Sequence, residues 1–261
     1  MTIVSRKHKF VFLKSHKTAS SSIENFLISK TELGDDIYFT SIEIQALGIP
    51  RARQNFTVCP GQSRLWGSLP RIVKALRKRI PGGHRLLPSI AQHDSAERVR
   101  FLVGRKFFED ALKAVPVRNP WDALVSNYEW LRSGRQGRSA AITENWNEWL
   151  NKALSKNEVN SGVRDYLLYS YVFLSDRWIA NHVIPFECID DSLSDLGKKL
   201  SLPIPSFLKE GLHHKKSRTK LDYRTYYTDV QAERVAEHFK LYLDVVQYEF
   251  EGLSRPPSLG I

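Results

Sequence analysis

The chain has 261 residues, of which 42% are hydrophobic, so it can form one large domain or two small ones around a real core. Its 39 lysines and arginines against 28 acidic residues give a net charge of +11, which favours an anionic partner. The sequence contains no apolar run long enough to span a membrane and no signal peptide, so we expect a soluble, cytoplasmic protein.

The first predicted elements are a strand and a helix. Residues 1–9 are a short polar segment, and the β-prone run at residues 9–14 predicts a buried strand. Residues 20–30 predict a helix, because apolar side chains recur at helical spacing after serines that suit a helix N-terminus. The turn between the two elements is rich in lysine, threonine and serine.

Residues 44–93 differ from the rest of the chain. They contain nine lysines and arginines, no acidic residue, five of the 12 prolines and five of the 14 glycines. This composition predicts a basic, loop-rich insertion. It is either a solvated surface excursion or a functional surface, such as a lid or a site for an anionic acceptor.

A second strand and helix follow the insertion. Residues 94–112 predict a helix and residues 113–117 a second buried strand. Asn119 suits an N-cap and Pro120 suits the first helical position, so the next helix is expected to continue to about Arg132.

The remaining pattern predicts one more strand, at 182–186, and several helices. The helices are expected from Thr143 and Glu144 onward, near 163–175, at 191–202 and from Thr228 and Asp229 to the C-terminal region, with a basic loop at 212–221. Strands that alternate with helices predict an α/β fold with a mostly parallel sheet. The carboxyl ends of its strands would share one edge, where ligands bind in such sheets.

The turn after the first strand has the properties of a phosphate-binding loop. A helix N-terminus presents unpaired N–H groups and partial positive charge. The small and hydroxyl residues Thr18, Ala19, Ser20 and Ser21 let a phosphate approach, and Lys17 adds a full charge. The turn is not a Walker A loop, because no glycine precedes position 34.

Two segments resemble the PAPS-dependent sulfotransferases, in particular the carbohydrate-type and bacterial enzymes. Phe12-Leu13-Lys14-Ser15-His16-Lys17-Thr18-Ala19-Ser20-Ser21 resembles their 5′-phosphosulfate loop, with Ala19 where many members have glycine. Val117-Arg118-Asn119-Pro120-Trp121-Asp122-Ala123-Leu124-Val125-Ser126-Asn127-Tyr128 resembles their 3′-phosphate motif. PAPS is 3′-phosphoadenosine-5′-phosphosulfate, the sulfuryl donor of the family.

The resemblance implies a single domain over residues 1–261, with the insertion at about 44–93 inside it. The implied fold is a three-layer α/β/α sandwich of the P-loop NTPase-like kind. Arg118 and Ser126 would share the 3′-phosphate, and the basic loop would bring Lys216 and Arg218 to the phosphates of the donor.

Sulfuryl transfer needs a base for the acceptor and positive charge for the leaving phosphate. Lys17 is the expected catalytic cation and His93 the expected base, with His16 and Glu24 as alternatives. We expect no metal, because the sequence shows no convincing carboxylate cluster. Cys59 and Cys188 are expected to be reduced and to bind no metal.

The expected function is sulfuryl transfer from PAPS to a hydroxyl, with an amine as the second possibility. The resemblance suggests a glycan or glycolipid acceptor, with no nucleic acid partner. Two alternatives stay open: a nucleotide kinase of similar architecture, disfavoured by the missing glycines, and a non-catalytic protein that binds polyanions through its basic insertion.

Overall fold

A four-stranded sheet forms the centre of the protein in a computed structural model that describes residues 3–31, 93–134, 142–155, 165–210 and 221–253. The described strands are β1 (Ile3–Ser5), β2 (Phe10–Phe12), β3 (Leu112–Val117), β4 (Phe173–Leu174), β5 (Arg177–Trp178), β6 (His182–Pro185), β7 (Tyr248–Glu249) and β8 (Gly252–Leu253). The central sheet has the order β1-β2-β3-β6. β2, β3 and β6 are parallel, whereas β1 is antiparallel to β2. β4–β5 and β7–β8 are separate antiparallel ribbons.

The helices of the described segments are α1 (Ser20–Lys30), α2 (Ala96–Val103), α3 (Arg105–Asp110), α4 (Pro120–Arg132), α5 (Trp146–Leu154), α6 (Ser170–Val172), α7 (Ile189–Leu200), α8 (Phe207–Glu210), α9 (Asp229–His238) and α10 (Lys240–Val246). A π-helical turn at Asp165–Tyr169 precedes α6, and 3₁₀ turns lie at Phe186–Cys188 and Tyr223–Tyr226. None of these helices is long and apolar enough to cross a bilayer.

The sheet separates two hydrophobic cores, because successive side chains of a strand point to opposite faces. Phe10 and Phe12 of β2 pack in one core with residues of α1, α7 and α8. Val11 and the adjacent Leu13 belong to the other core, with residues of α2, α4, α5 and α10. Helices therefore cover both faces, which is compatible with a three-layer α/β/α fold.

The structure confirms the three predicted strands and the mostly parallel sheet. It also confirms the predicted helices at Ser20–Lys30 and Pro120–Arg132, the second with Asn119 as N-cap and Pro120 in its first turn. The last predicted helix begins after Thr228, whose side chain forms a capping box with Gln231.

Several boundaries differ from the prediction. The predicted helix at 94–112 is two helices, because Gly104 has a φ of 94° and interrupts the helical backbone between α2 and α3. The segment expected to be helical near 163–175 ends in the strand β4. β1 was not predicted, although Ile3 and Val4 are buried, because only three residues contribute to the strand.

Candidate functional site

Three strand ends meet at one edge of the sheet. Because β2, β3 and β6 are parallel, their carboxyl ends lie at the same edge of the sheet. The loop after Phe12, Arg118 and Phe186 directly follow these three ends. The contacts confirm that the three segments adjoin one another. Arg118 donates from Nη1 to the carbonyl of Lys17 at 2.7 Å, and its guanidinium carbon lies 4.3 Å from the centre of the Phe186 ring.

The loop between β2 and α1 turns sharply through two left-handed residues. Lys17 has a φ of 60° and Ala19 a φ of 56°, a region in which a side chain is strained and glycine is favoured. Hydroxyl groups fix the turn from inside. The Ser15 hydroxyl donates to the Pro116 carbonyl of β3 at 2.5 Å, and the Ser20 hydroxyl donates to the Ser15 carbonyl at 2.6 Å.

The N-terminus of α1 has no side-chain cap, because its N-cap residue is Ala19. Within the described part of the chain, no acceptor is bonded to the backbone N–H groups of Thr18, Ala19, Ser20 or Ser21. Unpaired N–H groups at the positive end of an 11-residue helix favour an anion. The loop can therefore bind a phosphate or sulfate group through its backbone.

Arg118 lies where the second anion motif was expected, but two of its donors are engaged. Besides the bond to Lys17, its Nε donates to the Asp122 carboxylate at 2.6 Å, and its side chain is 13% exposed. An arginine side chain has five N–H donors, so further donors remain for a phosphate.

One stripe of α4 faces the loop. Asp122, Ser126 and Trp130 lie four residues apart, so they share one helix face. Asp122 contacts Arg118, and the Lys17 ammonium lies 5.1 Å from the centre of the Trp130 ring. Ser126 is half-buried between these two contacts. The sequence-predicted residues Lys17 and Arg118 therefore both contact this face of α4, and Ser126 lies on the same face.

Two imidazoles also adjoin the loop. The rings of His16 and His93 stack with centres 3.6 Å apart and planes inclined by 20°. His93 Nδ1 lies 3.0 Å from the carbonyl oxygen of Lys14, and Tyr171 donates to the His93 carbonyl at 3.4 Å. His93 is separated from the loop by more than 70 residues in the sequence, and the fold brings it into contact with the loop.

Both imidazoles are neutral, but their lowered pKa values make them weaker bases than the near-neutral histidine that general-base catalysis favours. Burial lowers the pKa of His16 to about 3, and burial together with the stacked His16 ring lowers the pKa of His93 strongly. Both rings are therefore neutral at pH 7. A carbonyl oxygen only accepts hydrogen bonds, so His93 carries its proton on Nδ1 and has its lone pair on Nε2.

Glu24, the third candidate base, is bound to a different partner. Its Oε2 lies 3.0 Å from the ammonium of Lys14, and both side chains are at most 1% exposed. An acceptor molecule in solvent cannot reach this carboxylate without displacing the loop. The geometry thus favours the imidazoles over Glu24.

The other sequence-predicted site residues, Lys216 and Arg218, lie outside the described residues, as does the insertion up to residue 92. Sequence reasoning missed four contributors: Lys14, Asp122, Trp130 and Phe186. Asp122 lies one helical turn after Arg118, and this spacing could have indicated their ion pair. In the described segments, no group of three His, Cys, Asp or Glu side chains could hold a metal ion.

We predict that Ala19→Gly stabilises the protein, because glycine adopts the left-handed conformation without strain. The free energy of unfolding should rise by up to about 1 kcal/mol in urea titrations. Ala153→Gly, within the regular helix α5, is the matched control and should lower it by about 0.5–1 kcal/mol. Destabilisation at both positions would contradict the left-handed loop.

We predict that the protein loses stability on mild acidification. The unfolded chain binds protons at both histidines below about pH 6.5, whereas the folded imidazoles resist protonation. The free energy of unfolding should therefore fall as pH decreases from about 6.5 toward 3. In the double variant His16→Gln/His93→Gln this slope should flatten, and an unchanged slope would refute the assignment of neutral buried rings.

No protein-family model, curated protein or solved structure matches this chain. Its function must therefore be inferred from the residues at the sheet edge themselves. These are an uncapped helix N-terminus, two cations and a pair of neutral imidazoles, which lie in or contact the loop after β2.

Proposed function

We propose that this protein is a PAPS-dependent sulfotransferase with a P-loop-like fold. One observation carries the proposal: three chemically distinct groups converge on the loop after β2. Lys17 belongs to the loop, Arg118 is bonded to the Lys17 carbonyl, and His93 is bonded to the Lys14 carbonyl. A cation, a second phosphate ligand and a base are the groups that sulfuryl transfer requires.

The donor would bind along the sheet edge. Its 5′-phosphosulfate occupies the N-terminus of α1, where the backbone N–H groups of residues 18–21 and the Lys17 ammonium meet its charge. Its 3′-phosphate takes the remaining donors of Arg118 and the Ser126 hydroxyl. The Asp122 carboxylate keeps the guanidinium oriented while this phosphate is absent.

The transfer would proceed by in-line displacement. The acceptor oxygen attacks the sulfur atom while its proton passes to Nε2 of His93. The bond between sulfur and the bridging oxygen of the 5′-phosphate breaks, and both electrons stay with the phosphate. Lys17 neutralises that leaving oxygen, and 3′-phosphoadenosine-5′-phosphate departs. The acceptor is a hydroxyl of a glycan or glycolipid.

Ligand-induced stabilisation tests the donor assignment. 3′-Phosphoadenosine-5′-phosphate at about 100 times its Kd should stabilise the fold by about 2.7 kcal/mol, measured as a rise in Tm, and ADP should do so much less. Ser126→Ala should reduce the response to the 3′-phosphorylated nucleotide toward that of ADP. The control Ser194→Ala, on the exposed face of α7, should leave it unchanged. Equal responses to both nucleotides in the unmodified protein would exclude the 3′-phosphate site.

The role of Lys17 is tested by transfer of labelled sulfuryl groups from PAPS to a mixture of oligosaccharides and glycolipids. Lys17→Ala should lower kcat about 10²–10³-fold while the nucleotide still binds, because its charge acts mainly on the leaving group. Arg118→Ala should chiefly weaken nucleotide binding. Lys30→Ala, at the exposed end of the same helix α1, is the control. Full activity of Lys17→Ala would disprove the mechanism, and ATP turnover with magnesium would favour a kinase instead.

A further inference from the structure

A buried ion pair joins the two ends of the phosphate loop. Lys14 follows β2, Glu24 lies in the second turn of α1, and their charged atoms are 3.0 Å apart with both side chains almost completely buried. The second carboxylate oxygen of Glu24 is buried without a hydrogen-bond partner in the described part of the chain. Such pairs often contribute less stability than apolar residues of the same size. The stability of the fold is therefore a weak explanation for this one.

The backbone of Lys14 also orients His93. The Lys14 carbonyl accepts the Nδ1 proton of His93, and this bond directs the lone pair of Nε2 away from the strand end. Lys14 thus contacts α1 through its side chain and the proposed base through its main chain. We propose that the Lys14–Glu24 pair is a positioning device, which holds the strand end whose carbonyl selects the tautomer of His93. Only the predicted effect of the pair on catalysis rests on the proposed function; its effect on the tautomer of His93 does not.

The charges around the two imidazoles agree with this role. The Lys14 ammonium opposes a positive charge on either ring, and Lys17 does so for His16. Asp94, the acidic neighbour of His93 in the chain, is paired with Arg98 at 3.1 Å. Tyr171 meets the His16 ring edge-on with 6.1 Å between ring centres. Besides the stacked His16 ring, the Lys14 carbonyl is therefore the described group that directly contacts the His93 ring.

The test is the tautomeric state of His93, measured by ¹⁵N–¹H correlation spectra of the imidazoles in the resting protein at pH 7. The unmodified protein should show one tautomer, protonated at Nδ1. Lys14→Met/Glu24→Leu removes the pair but keeps the volume, and should give a mixture of tautomers without loss of stability. Lys14→Arg keeps the charge and should restore the single tautomer. If the double variant does not fold, Lys14→Gln takes its place, because it removes the charge of the pair, and it should also give a mixture of tautomers.

Lys113→Met is the matched control, since Lys113 is also a buried lysine but its ammonium donates to the carbonyls of Phe108, Glu109 and Ala111 before β3. It should not change the His93 spectrum. With PAPS as donor, the double variant should lose at least about tenfold in kcat with little change in KM for the donor. A single Nδ1 tautomer in the double variant, or in Lys14→Gln if the double variant does not fold, would overturn the inference. A tautomer change in a protein that transfers no sulfuryl group would support it and would refute the proposed function alone.

Discussion

The side chain of Arg118 connects the parts of this molecule that the candidate site needs. It follows β3, donates to the loop that follows β2 and lies over the Phe186 ring that follows β6. Tyr242 of α10, which is completely buried, exchanges hydrogen bonds with the backbone of the same residue. One planar cation thus fixes three strand ends relative to one another. A flexible lysine at this position would provide charge without a comparable set of directed donors.

The loop itself combines strain with internal support. Two left-handed residues cost conformational energy, and the hydroxyl groups of Ser15 and Ser20 hold the turn from below. His93, which also has a positive φ of 61°, contacts the loop through the Lys14 carbonyl. Strained residues that gather at one point, against a helix N-terminus without a cap, indicate a backbone shaped for a ligand more than for stability.

The electrostatics of the two sides of the loop differ. On the side of α4, Lys17 and Arg118 bring positive charge, moderated by Asp122 and by aromatic rings. On the side of His93, burial and the Lys14 ammonium keep two stacked imidazoles neutral. The loop therefore places positive charge for an anion near α4 and a neutral proton acceptor at His93, and these two groups are separate residues. The +11 net charge of the chain would add a general attraction for anionic ligands.

The sequence by itself determined the three parallel strands and the helices Ser20–Lys30 and Pro120–Arg132, because these depend on local apolar spacing and capping residues. It also predicted two anion-binding motifs from short-range chemistry. It could not determine which residues meet. The stacking of His93 on His16, the Lys14–Glu24 pair and the bond from Arg118 to Lys17 join segments through the order and direction of the strands. The break at Gly104 and the short strand β1 were also missed, since a single backbone angle and a three-residue partner leave no periodic signal. Only the tertiary structure distinguished Glu24, paired under the loop, from His93, whose neutral ring lies against it.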